Sequence, residues 1–283
     1  MRDMYRFGLL GHNIGYTRSP DVFRAVYHRL HGEGNYKVFD FNSEQLSAQW
    51  TGILRMKLQG LSVTIPHKAT VIALLSEVDS LAAKLVTVNC IKIEDEHTIG
   101  YNTDCHGFTV ALKGVAGGFK ANSALIIGNG SVARAVAYSV VTDFGVTRLV
   151  VSGRNKTRLA AFSRSMRRLL PDTQIDSAGW NDLSHQQVDL IVNCTPLGGP
   201  SYPCQTPLPC SPGRLGAAAY CDVNYNPDSP MVNRARAEGL RAMDGSTMLV
   251  AQALRTFEIC AGVSAPPLEA VYYEVFGRPS QVT

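Results

Sequence analysis

Residues Ala124-Leu-Ile-Ile-Gly-Asn-Gly-Ser-Val-Ala133 constrain the fold more than any other stretch of the chain. A short apolar run ends at Gly128, and a helical pattern continues from Ser131 to Val141. Gly128, Gly130 and Ala133 satisfy the spacing G-x-G-x-x-G/A, with a strand before it and a helix after it. The first glycine permits a tight turn, the second lets backbone N–H groups approach a pyrophosphate, and a small third residue lets helix and strand pack closely. The helix N-terminus adds attraction for an anion. These residues predict a doubly wound domain that binds a dinucleotide.

The surrounding pattern agrees. Further strand-like runs occur at Arg148–Ser152, Asp189–Asn193 and Ala218–Val223, so a Rossmann domain is expected over residues 105–245. It begins with a helix over Gly107–Lys113 and a glycine-rich link, Gly114–Gly118. Residues 1–104 alternate apolar runs (Phe7–Leu10, Tyr36–Phe41, Leu61–Ile65) with helical patterns (Asp21–Leu30, Ala69–Leu75). Such alternation predicts β-α-β units and a largely parallel sheet. Residues 246–283 are helical by pattern as far as Phe276 and are expected to complete this first domain; Pro200–Pro212 reads as a surface loop. The fold class is therefore α/β: an N-terminal open α/β domain plus a Rossmann doubly wound parallel sheet.

Composition excludes several function classes. The 283 residues are 45% hydrophobic and 18% charged, with a net charge of +4. No run of Lys and Arg exceeds two, which argues against nucleic acid as a partner. The start is charged, and no apolar stretch approaches the roughly 18 residues of a membrane span. The seven cysteines are scattered, odd in number and never spaced C-x-x-C, so neither a disulfide framework nor a zinc site is expected. Reduced thiols in a cytoplasmic protein are the simpler reading.

The nucleotide is chosen at the end of the second Rossmann strand, where Asp or Glu accepts from the ribose 2′-OH of NAD. Here the chain reads Val150-Val-Ser-Gly-Arg-Asn-Lys-Thr-Arg158, with no acid and three cations. Arg154 and Arg158 suit a 2′-phosphate through charge-assisted hydrogen bonds. NADP is the expected cofactor.

Four segments of the first domain stand out: Gly15-Tyr-Thr-Arg-Ser-Pro20, Val63-Thr-Ile-Pro-His-Lys68, Val88-Asn-Cys-Ile91 and Gly100-Tyr-Asn-Thr-Asp-Cys-His-Gly107. With Gly128–Arg134, Asn193-Cys-Thr-Pro196, Asp222-Val-Asn-Tyr225 and Asp244-Gly-Ser-Thr-Met-Leu-Val-Ala-Gln252, they resemble, in order and spacing, the motifs of the shikimate dehydrogenase family. The resemblance spans nearly the whole chain. It implies reversible NADPH-dependent reduction of 3-dehydroshikimate to shikimate, in the pathway of aromatic amino-acid biosynthesis, by a monomer or homodimer. Lys68 and Asp104 fall at the catalytic pair. Thr17 and Ser19 fall where hydroxyls bind the substrate carboxylate, and Thr64, Asn89, Asn102, Tyr225 and Gln252 at further substrate contacts. Gly128, Asn129, Gly130, Ser131, Ala133, Arg154, Arg158, Thr195, Gly245 and Met248 fall at the cofactor.

Chemistry makes these roles sensible. Oxidising a secondary alcohol requires its proton to leave as hydride departs, so a positioned acceptor or relay is needed. A free lysine has a pKa of about 10.4 and is a poor base at neutral pH, so Lys68 and Asp104 are expected to act as a coupled unit. Taken singly, Asp104 would instead cap a helix opening near Gly107, and Thr17 or Ser19 one opening at Pro20. The family pattern is departed from at Thr17, Ser131, Gly153, Asn155 and Thr247. Thr17, in place of serine, adds a methyl to the carboxylate pocket and raises a relative acting on quinate or an aminated shikimate as the alternative. A non-catalytic sensor is the other class, disfavoured by an intact Lys68 and Asp104.

Overall fold

A computed structural model describes residues 4–117, 119–226 and 228–280. Met1–Asp3 of the charged start and Gly118 of the glycine-rich link lie outside the described residues. Two compact units are present: one takes in the chain up to Gly107 together with Val250–Ser280, the other Phe108–Leu249.

The first unit begins β1 (Met4–Gly11), α1 (Ser19–Arg29), β2 (Glu33–Asp40), α2 (Ser43–Leu54) and β3 (Gly60–Val63). After a 3-10 turn at Thr70–Leu74 come β4 (Glu77–Val78), α3 (Ser80–Leu85), β5 (Cys90–Glu94) and β6 (His97–Tyr101). Local chemistry explains the boundaries. Pro20 and Asp21 open α1 while His28 and Arg29 close it, matching the helix dipole. Asn42 caps α2 in a reciprocal capping box with Gln45. The helix expected over Ala69–Leu75 shrinks to the 3-10 turn, because Ala69 offers no capping side chain and Thr70, Val71 and Ile72 are β-branched.

The sheet order is β2-β1-β3-β5-β6-β4. β1 pairs in parallel with β2 and β3, but β5 is antiparallel to both β3 and β6. β4 again pairs in parallel with β6, so the sheet is largely parallel as expected, with β5 alone running against its neighbours. A hairpin turning at Asp95, with φ of 56°, reverses the chain, and its second strand was legible only as the start of a motif. Leu10, Phe39, Trp50, Ile53, Leu61 and Ile91 form one core of this unit.

α4 (Asp104–Ala116) leads into the second unit and runs through Gly114 and Val115, which the sequence suggested as part of a link. Then follow β7 (Ser123–Ile127), α5 (Ser131–Thr142), β8 (Arg148–Ser152), α6 (Lys156–Leu169), β9 (Gln174–Ala178) and β10 (Leu190–Asn193). β11 (Ala219–Asp222), α7 (Pro230–Ala237) and β12 (Arg241–Met243) complete the sheet, whose order is β12-β11-β10-β7-β8-β9. Every pairing is parallel. This is the doubly wound Rossmann arrangement, with its switch point between β7 and β10. β7, β8 and β10 read as nearly unbroken apolar runs because both faces are covered by packed side chains.

α8 (Ser246–Ala261) and α9 (Leu268–Phe276) divide the helical stretch expected after Ser246. Gly262 adopts φ of 70°, and Pro266 and Pro267 follow, so the first helix cannot continue. Phe257 of α8 packs against Tyr5 and Phe7 of β1.

Candidate active site

β1, β3 and β6 run in one direction, so their carboxyl ends share an edge of the first unit's sheet. The antiparallel β5 brings its amino end, with Asn89 just before it, to the same edge. Topology therefore gathers the sequence-predicted residues of this unit: Thr17, Ser19, Thr64, Lys68, Asn89, Asn102 and Asp104. Gly11 is required where β1 ends, since a Cβ there would lie 2.6 Å from the Thr64 methyl and 2.8 Å from Ile14.

Lys68 sits in the turn that leaves β3. Its backbone is fixed from both sides: the Lys68 carbonyl accepts from Val88 N at 2.8 Å, and Ile65 O accepts from His12 N at 2.9 Å. His67, which sequence reasoning left without a role, is completely buried, and its Nε2–H donates to the Phe41 carbonyl at 2.6 Å. It anchors the turn immediately before the lysine. Lys68 Nζ then donates to Asp104 Oδ2 at 2.6 Å, with side chains only 12% and 6% exposed. Among the described residues Nζ has no second partner, which leaves two N–H groups for a ligand oxygen.

Asp104 is the first residue of α4, three residues earlier than expected, so it lies inside the helix rather than capping it. Asn102 is the cap: its Oδ1 accepts from Asp104 N at 3.1 Å and Cys105 N at 3.3 Å, and its Nδ2 donates to Thr87 O. A carboxylate in a first helical turn is favoured by the dipole. Asp104 Oδ1 accepts from Asn89 Nδ2 at 2.9 Å, so both carboxylate oxygens have partners.

Asn89 is the hub. Its Nδ2 also lies 2.9 Å from Thr103 Oγ1 and 3.3 Å from Gln252 Oε1, sharing its two N–H groups among three acceptors, and its Oδ1 accepts from Thr103 N at 2.6 Å. Thr103 Oγ1 meets Thr256 Oγ1 at 3.1 Å, one helical turn beyond Gln252 on α8. Thr103 and Thr256 were missed in the sequence; the i, i+4 spacing of Gln252 and Thr256 was the available signal. Elsewhere, Ser19 is buried and Thr17 Oγ1 donates to Ser19 Oγ at 3.3 Å, placing the two hydroxyls side by side. The N-cap residue of α1, Arg18, makes no side-chain cap, and Thr17 Oγ1 accepts from Ser19 N at 3.3 Å at the helix start.

In the second unit, the glycine loop fits a dinucleotide. Gly128 has φ of 113°, and a Cβ there would lie 2.9 Å from the Cys194 carbonyl oxygen across the switch point. A Cβ on Gly130 would meet nothing within 4 Å, so the path to the backbone is open. No side chain caps α5 at Gly130, which leaves the first N–H groups of the helix from Ser131 available to an anion. Ala133 is fully buried, as its packing role requires. Asn129 lays its amide over Gly153, 2.9 Å from where a Cβ would be, and its buried Nδ2 has no partner. Arg154 and Arg158 are exposed beyond the end of β8, where Asn155 caps α6 by accepting from Arg158 N. Met248 packs into the core of this unit, and Thr195 and Tyr225 stand in the loops after β10 and β11.

Those two loops are held by Asp222. It is buried and accepts from Asn193 Nδ2 at 3.1 Å and from Asn224 N and Nδ2 at 2.9 and 2.7 Å. Asn193 Oδ1 in turn accepts from Thr195 Oγ1 at 2.7 Å. Burial outweighs these donors and pushes the Asp222 carboxyl up to about 6 from an ordinary 3.8. The folded state then binds the proton more tightly than the unfolded chain. The resulting stabilisation is present below pH 3.8 and lost as pH rises through about 6. It is expected to be about 3 kcal/mol, read as the pH-dependent difference in unfolding free energy between wild type and Asp222→Asn. Parallel stability curves would refute it.

Residues 9–91 match the family model described as the shikimate dehydrogenase substrate binding domain. The chain is 31% identical over 255 residues to a protein named shikimate dehydrogenase (NADP(+)) from Clostridium botulinum (strain Loch Maree / Type A3), covering 88% of this chain and 94% of that one. The crystal structure of a shikimate 5-dehydrogenase from Thermus thermophilus, in complex with NADP(H) and shikimate, matches with a TM-score of 0.81 at 27% identity, over 96% of this chain and 98% of that one. A quinate dehydrogenase from Corynebacterium glutamicum in complex with NAD matches with a TM-score of 0.87 at 26% identity, over 98% and 100%. The chain belongs to the shikimate dehydrogenase family.

Proposed function

We propose that this protein is an NADP-dependent shikimate dehydrogenase that interconverts 3-dehydroshikimate and shikimate in the pathway to aromatic amino acids. The observation that carries the reading is the 2.6 Å contact between Lys68 Nζ and Asp104 Oδ2, secured by Asn89, in a chain of this family. Bound NADPH supplies the hydride. Lys68 donates a proton to the carbonyl oxygen being reduced, and Asp104 holds the ammonium in position. In the reverse direction the same pair receives the hydroxyl proton. Thr17 and Ser19 offer paired hydroxyls to the substrate carboxylate, while Thr64, Asn89, Asn102, Tyr225 and Gln252 supply donors and acceptors suited to a polyol.

Gly128, Asn129, Gly130, Ser131 and Ala133 would hold the pyrophosphate side of the cofactor, with Thr195, Gly245 and Met248 contributing beyond it. Arg154 and Arg158 take the 2′-phosphate. Replacing either arginine by Ala should weaken NADP+ binding about tenfold or more, since hydrogen bonds to charged groups contribute roughly 1.5–3 kcal/mol. NAD+ binding, measured calorimetrically on the same variants, should change little; equal losses for both nucleotides would refute the assignment. No helix among the described residues is long and apolar enough to cross a membrane. The cysteines are free, and Cys90 and Cys260 lie 3.7 Å apart without being bonded, which suits a cytoplasmic setting.

The direct test is an initial-rate comparison of shikimate and quinate, each with NADP+ and NAD+. Shikimate with NADP+ should give the highest kcat/KM. Quinate above shikimate would reverse the substrate assignment.

A further inference from the structure

Charge is distributed unevenly along this chain. Between Phe144 and Pro171 stand seven cations (Arg148, Arg154, Lys156, Arg158, Arg164, Arg167 and Arg168) and no Asp or Glu. The rest of the chain has 20 Lys and Arg against 23 Asp and Glu, a net charge of −3 in a protein of +4 overall. Five of the seven cations lie on α6, all exposed, and Arg154 just before it is exposed too. Among the described residues only Arg148 pairs with a carboxylate, that of Asp176 at 3.3 Å. Arg167 donates to the Ile175 carbonyl at 2.6 Å.

Helix stability accounts for only part of this pattern, since the dipole favours Arg167 and Arg168 in the last turn. Arg164 and Arg168 are like charges at i, i+4 and repel, and Lys156 and Arg158 oppose the dipole in the first turn. What the arrangement does create is a positive field on one element of an otherwise slightly acidic protein, beginning at the residues assigned to the 2′-phosphate. NADPH carries a diphosphate and a phosphate monoester, the latter alone about −1.5 to −2 at pH 7.

We propose that α6 is an electrostatic guide for the dinucleotide, in which Arg164 and Arg168 speed its capture without touching it. The proposal rests on the NADP reading of Arg154 and Arg158. At a rise of about 1.5 Å per residue, Arg164 and Arg168 lie roughly 9 and 15 Å along the helix from Arg158. That is beyond contact with the same phosphate. It is well within the Debye length of about 30 Å at 0.01 M salt and beyond that of about 3 Å at 1 M. Charges so placed act on the association rate and leave dissociation nearly alone.

The test is stopped-flow binding of NADPH to the full chain, followed by nucleotide fluorescence, for wild type, Arg164→Gln/Arg168→Gln and Arg164→Glu/Arg168→Glu. At about 0.01 M salt the association rate should fall roughly threefold on neutralisation and about tenfold on charge reversal, with dissociation changed less than about twofold. At about 1 M salt the three proteins should converge. Equal association rates at low salt, or a loss expressed in dissociation, would overturn the guide. Should charge reversal unfold the helix, seen by circular dichroism, the neutralised pair and the wild-type salt dependence decide the question alone. Failure of the wild type to bind NADPH at any salt would instead overturn the cofactor reading, and the guide with it.

Discussion

Lys68→Ala is expected to lower kcat for shikimate oxidation about 10²- to 10⁴-fold, the usual contribution of a positioned proton donor or acceptor. Shikimate binding to the variant, measured by calorimetry, should remain detectable, because the residues proposed to hold it, Thr17, Ser19, Asn89 and Gln252, are untouched. The substitution also leaves the buried Asp104 carboxylate with Asn89 but without its cation, at a cost of about 3–5 kcal/mol of stability. Lys68→Met keeps the aliphatic stem and separates the two effects. It should restore part of the packing and none of the turnover. A Lys68→Ala enzyme with wild-type kcat would remove the residue from the chemistry.

Gly245→Ala should be the most damaging change outside the first unit. A Cβ on Gly245 would lie 2.1 Å from the Val223 carbonyl oxygen and 2.5 Å from its carbon, backbone atoms that cannot swing aside. Gly245 N also donates to Asn224 O at 2.8 Å, so relief by moving the strand end would break that bond. Overpacking of this kind costs roughly 1–3 kcal/mol and sometimes more. The displaced segment carries Asn224, whose Nδ2 donates to Thr195 O at 2.8 Å, and Tyr225 beside it. The expected result is a fall of Tm by several degrees or more, together with weakened NADP+ binding. A variant with unchanged Tm and nucleotide affinity would show that the strand end yields freely.

Much of this arrangement was legible in the residues. The strand–glycine–helix junction at Ala124–Ala133 specified the second unit, because turn geometry, backbone approach and helix packing each demand a particular residue type there. The motifs holding Lys68, Asn89 and Asp104 named residues that the sheet edge then brings together. What sequence could not supply was direction. Nothing in Cys90–Tyr101 announces that the chain reverses at Asp95, yet that reversal is what returns Asn102 and Asp104 to the edge shared with Lys68 and Asn89. Short elements such as β4 and β12 carry too little periodicity to be seen. The supporting groups were also hidden: His67 reads as one histidine among seven until its buried bond to Phe41 is visible. Thr103 and Thr256 acquire meaning only when α8 lies against β5. Asp222 looked like the end of a strand, and its place under both loops comes from the register that pairs it with Asn193.

The central claim is that an ammonium and a carboxylate work as one proton-handling device, and a double-mutant cycle tests it most directly. Lys68→Ala, Asp104→Ala and the double variant are compared by kcat with shikimate and NADP+ at saturation. Groups that act as a unit show strongly non-additive losses, so the double variant should turn over about as slowly as Lys68→Ala. A double variant whose loss equals the product of the two single losses would contradict the account, because each side chain would then be acting independently.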